Sequence, residues 1–67
     1  MKEKIGNLIQ HHKTAKLECQ ELINELRSIG ETLLDEEEVR DLNNTIERYS
    51  QEYAWRGVFV SQLEDLL

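Results

Sequence analysis

Few side chains in this sequence could do chemistry, and their spacing limits what that chemistry can be. His12 and Arg56 are polar residues standing where the surrounding helical pattern asks for apolar ones. A neutral imidazole accepts a hydrogen bond, and a guanidinium donates several and grips anions. With Tyr53, one turn before Arg56, they form either a polar layer in a helical seam or a site for an anionic small ligand. His11 and His12 point about 100° apart on a helix, so they cannot chelate one ion together, and no metal site is expected. Cys19 is the single cysteine; it can form no internal disulfide and reads as a small core residue, because no base stands near it to make a thiolate. The chain has no Ser/His/Asp set, no glycine-rich phosphate loop and no paired cysteines. The expectation is a non-enzyme, with no catalytic residue and no cofactor.

A second group of residues suits recognition. Trp55, Phe59 and Leu66 recur at i, i+4 and i+11, and Val58 sits among them. Large aromatics beside an arginine, outside a primary core, have the composition of an interface anchor. They are candidates for contact with another copy of the chain or with a different protein. Gly57 falls inside this stretch and costs about 1 kcal/mol relative to alanine in a helix, which suggests close approach by another helix. On the first half of the chain, Gln10, Lys13, Leu17, Gln20, Asn24 and Arg27 form an outward strip without acids, a surface that could touch RNA.

The elements that must position these residues are two long helices. Apolar or seam positions run Ile5, Leu8, His12, Ala15, Cys19, Leu22, Leu26, Ile29, with steps alternating three and four. After an interruption the same rule yields Val39, Leu42, Ile46, Tyr49, Tyr53, Arg56, Val60, Leu63. That is the spacing of a coiled-coil seam. Between the runs, Gly30 suits a left-handed position past a helix end. Asp35 opens an Asp-x-x-Glu capping box with Glu38, and Thr32 is a rival cap. The reading is all-α: a single helical-hairpin domain over 1–67, with helix 1 at about 3–29, a turn at 30–35 and helix 2 at about 36–65. Setting Ile29 against Val39 pairs Leu26 with Leu42, Cys19 with Tyr49, Ala15 with Tyr53, and His12 with Arg56.

At 67 residues the chain is near the size where one core is barely sufficient, so a homodimeric four-helix bundle or a higher oligomer is expected. Charge orients such an assembly. Residues 1–16 carry four lysines and one acid, whereas six acids crowd the turn from Glu31 to Asp41. A head-to-tail pairing brings these ends together. The net charge of −6 argues against nucleic acid and anionic membrane as partners. With no apolar run of membrane-spanning length and no signal-peptide core, a cytoplasmic protein is expected.

Three resemblances bear on function. The hairpin plan resembles the plasmid copy-number RNA-binding proteins, which are dimeric four-helix bundles; this likeness is architectural. Leu34 through Val39 with Asn43-Asn44-Thr45-Ile46-Glu47 is similar to the hairpin aspartyl-phosphate phosphatases of sporulation control, whose second helix carries Ser-Gln-Glu-Leu-Asp. Asn43 stands here at the Ser and Glu47 at the Asp, so the carboxylate is displaced by a methylene. Glu52-Tyr53-Ala54-Trp55 resembles a stretch of phage proteins that oligomerise and sequester cyclic nucleotides, which implies His12, Arg56 and nearby tyrosines as ligand contacts. No motif extends across the chain in any of the three, and no family is assigned from them. The functional expectation is a small regulatory or inhibitor protein acting by protein–protein interaction, with the cyclic-nucleotide sponge as alternative and the RNA-binding dimer and phosphatase behind it.

Overall fold

The computed structural model describes residues 1–32 and 35–67. Two helices, α1 (Lys2–Gly30) and α2 (Glu36–Glu64), pack against each other as an antiparallel hairpin measuring 51 × 14 × 11 Å. Each holds 29 residues and contains its periodic run. Leu33 and Leu34, inside the expected turn, lie outside the described residues. No helix among the described residues is long and apolar enough to cross a membrane.

The start of α2 follows its local sequence. Asp35 is extended at φ −84° and ψ 125°, and its carboxylate accepts from the backbone N–H of Glu37 at 2.8 Å. Glu36, Glu37 and Glu38 occupy the first turn, where carboxylates complement the helix dipole. Thr32 serves the other helix instead: its hydroxyl donates to the Ile29 carbonyl at 2.8 Å, helping to close the end of α1. Gly30 departs from expectation. It has no positive φ and remains helical. Its lack of a side chain matters for packing, because a Cβ there would stand 2.7 Å from Cδ2 of Leu42.

Along α2, every expected seam position from Val39 to Leu63 is half-buried or buried. Along α1 the expected seam is only half right. Ile5, His12, Cys19 and Leu26 face the partner helix, but Leu8, Leu22 and Ile29 are exposed while Ile9 and Ile23 are buried beside Cys19. The helix is turned so that Ile9, Lys16, Ile23 and Gly30 replace Leu8, Ala15, Leu22 and Ile29, although Ala15 keeps partial cover. Both rotations share Ile5, His12, Cys19 and Leu26, and both offer apolar residues between them.

Features of α2 accompany the observed choice. The Cys19 thiol reaches the Glu52 carboxylate, and Lys16 lies across the bare Gly57 with its ammonium 4.7 Å from the centre of the Tyr53 ring. Pairing shifts with the rotation. Gly30, one turn beyond Leu26, backs onto Leu42; Cys19 meets Glu52 where Tyr49 was expected; Lys16 takes the place of Ala15 at Tyr53.

Candidate functional site

Four side chains form one polar chain through the middle of the hairpin. The Cys19 thiol donates to Oε2 of Glu52 at 2.8 Å. The other Glu52 oxygen lies 3.5 Å from the Arg56 guanidinium, one turn along α2. Arg56 reaches across to Nδ1 of His12 at 2.9 Å. A guanidinium can only donate, so in this contact Nδ1 is the acceptor, the role that the Nε2–H tautomer offers. Among the described residues no buried side-chain N or O lacks a partner.

Proton affinities follow from these contacts. Burial pushes the Cys19 thiol up to about 11, helped by its hydrogen bond to Glu52 and by that carboxylate's charge. A thiol so held is a poor nucleophile. The same hydrogen bond holds the Glu52 carboxyl below its ordinary value, against a smaller opposing effect of desolvation and with further help from Arg56. The network joins the two helices at two points, Cys19 to Glu52 and His12 to Arg56. An anion approaching Arg56 meets a carboxylate already in place beside it.

The Tyr53 ring lies under Lys16, with the ammonium 4.7 Å from its centre. The aromatics continue the polar chain outward: the His12 ring lies 5.3 Å from Phe59, and Phe59 lies 6.0 Å from Trp55. A shallow groove of about 300 Å³ runs beside them, lined by Leu8, His12, Phe59, Gln62, Leu63 and Leu66. Trp55 and Leu66 are 60% and 65% exposed, and Phe59 is 39% exposed. Val58 is also exposed; three residues on from Trp55, it lies about 60° round α2 from it, on the side away from α1.

The groove joins the two helices' uncovered apolar residues. Leu8 belongs to the stripe Leu8, Ala15, Leu22, Ile29 that α2 leaves open, and Phe59 and Leu66 stand next to it across the helix boundary. The apolar row thus runs the length of α1, joined at its Leu8 end by Phe59 and Leu66, while towards the turn the same row of α2 is Glu52, Thr45 and Glu38.

Other expected surfaces are less organised. In the acid-free strip, Gln10 bonds Thr14 and Gln20 bonds Asn24, so its amides are partly engaged with one another. Asn43 and Glu47 are both exposed on α2. Among the described residues, no group of three or more His, Cys, Asp or Glu converges as metal ligands would.

Glu52 is the member of the network that the periodic pattern misses, since it flanks the seam and reads as solvated charge. Its signal was the i, i+4 Glu-to-Arg spacing with Arg56, the favourable orientation for a helical ion pair. Comparison with protein-family models, with curated proteins and with solved structures finds no match for this chain.

Proposed function

We propose that this chain is a small non-enzymatic regulatory or inhibitor protein that acts by protein–protein contact as part of a helical bundle. The observation that supports this reading is the exposed apolar row of α1, Leu8, Leu22 and Ile29, joined at its Leu8 end by Phe59 and Leu66 of α2, with Trp55 beside Phe59. Contiguous exposed apolar surface on a small acidic protein is the mark of an interaction site. The polar network joins both helices beneath it. Trp55 is the natural anchor for a heterologous partner, because it projects beyond the stripe that another hairpin would cover. Quantitative crosslinking in extract tests the reading: Trp55→Ala should lose a specific heterologous adduct that the parent chain forms. An identical adduct pattern for both chains would remove Trp55 from the function.

A second reading rests on one cluster. His12, Arg56, Phe59 and Trp55 bring a guanidinium and an imidazole beside aromatic rings at the groove. A cyclic nucleotide could stack there and draw Arg56 from Glu52. Thermal stabilisation by cyclic nucleotides, abolished by Arg56→Ala and increased by Glu52→Gln, would favour it. No stabilisation would exclude it.

A further inference from the structure

We infer that the open stripe of α1 receives a second copy of this chain, packed antiparallel about a two-fold axis at the level of Glu18 and Cys19. The inference deepens the bundle reading above and rests on it. Its first support is the sequence of the stripe. Leu8, Ala15, Leu22 and Ile29 are seven residues apart; Leu8 and Ile29 are about half exposed, Leu22 is 38% exposed and Ala15 is half-buried. Apolar positions on three neighbouring rows are the pattern of a helix with more than one partner. When the stripe is laid antiparallel on itself, Leu8 falls opposite Ile29 of the second copy and Ala15 opposite Leu22. A large residue meets a small one at the centre and two branched residues meet at each end, as layers of even spacing require.

The surface area is the second support. The chain exposes 5414 Å². A compact folded monomer of 7.9 kDa would expose roughly 4,400 Å². The excess, about 1,000 Å², is more than the roughly 800 Å² that each partner of a standard stable interface buries. The groove beside Leu8, Phe59 and Leu66 continues the stripe onto α2, so the second hairpin has apolar surface to cover on both helices.

Charge chooses the direction. An antiparallel pair sets Lys2 and Lys4 of one copy at the level of the acids around Glu31 and Glu36–Glu38 of the other. A parallel pair would stack two acidic turns, each with six acids from Glu31 to Asp41. Opposite charges across an interface favour the first and oppose the second.

Sedimentation equilibrium and site-directed crosslinking test the arrangement on the full chain. The parent should sediment at twice 7.9 kDa at tens of micromolar. Leu22→Glu should weaken the dimer by roughly 100-fold or more, since the axis counts each lost leucine twice. Its helical circular dichroism should persist, because Leu22 lies outside the hairpin's buried core. Should that variant lose its helix, Ile29→Lys is read in the same way at the end of the stripe. For direction, a mixture of Leu8→Cys and Ile29→Cys chains should form a mixed disulfide dimer that neither forms alone. A parent that stays a folded single chain, a dimer indifferent to both charge substitutions, or self-linking of Leu8→Cys alone would overturn the inference. Absence of any Trp55-dependent heterologous adduct with the dimer intact would instead count against the regulatory reading only.

Discussion

Arg56 donates to Nδ1 of His12 across the hairpin while its neighbouring nitrogen faces Glu52, so one side chain joins both helices. Both residues are half-buried, and each would be left partly unpaired without the other. Arg56→Ala or His12→Ala alone should therefore cost about 1–3 kcal/mol in denaturant unfolding at fixed protein concentration. Replacing both with leucine should recover much of that loss, because apolar pairs substitute well for half-buried polar ones. The double variant should pack less uniquely, visible as broadened amide resonances.

Stability should fall at both ends of the pH scale. Glu52 titrates below the ordinary 4.5, so its contribution is present above that value and is lost as pH falls through the folded-state value. Cys19 moves from 9.0 to about 11, so its contribution is present below 9.0 and is lost as pH rises towards about 11. Unfolding midpoints measured from about pH 3 to about pH 11 should show both limbs. Glu52→Gln should flatten the acid limb and lower the thiol's titration, read by thiolate absorbance. A parent-like acid limb in that variant would remove Glu52 as its source.

The two half-buried glycines should respond oppositely to alanine. At Gly57 a Cβ meets only the Lys16 side chain, at 3.5 Å, an ordinary contact. Gly57→Ala should gain up to about 1 kcal/mol from helix propensity. At Gly30 the same change drives a methyl into Leu42, and the strain should cancel or reverse the gain. Thermal unfolding of the two variants side by side reads the difference.

Removing the α2 cap should be costly for a single surface residue. Asp35→Ala deletes the acceptor for the Glu37 N–H and should lose about 1 kcal/mol of stability. Asp35→Asn should retain most of it. Hydrogen exchange should speed up first at the backbone N–H groups that follow the cap.

Much of the architecture is local and so belongs to the sequence itself. The alternating three- and four-residue steps determine two helices, Asp35 determines where α2 begins, and α2 has one continuous seam from Val39 to Leu63 to bury. His12 and Arg56 also fall together from spacing alone, because a long arginine side chain tolerates an error in register. Only the tertiary structure decided which face of α1 is covered. Leu8 and Ile9, or Leu22 and Ile23, are adjacent residues of equal apolarity, and a helix viewed alone has no reason to prefer either row. The choice depends on contacts between residues distant in sequence: Cys19 with Glu52, Lys16 with Tyr53 and Gly57, Gly30 with Leu42. Burying one row leaves the other open, and that remainder is the surface from which the bundle and its partners are built.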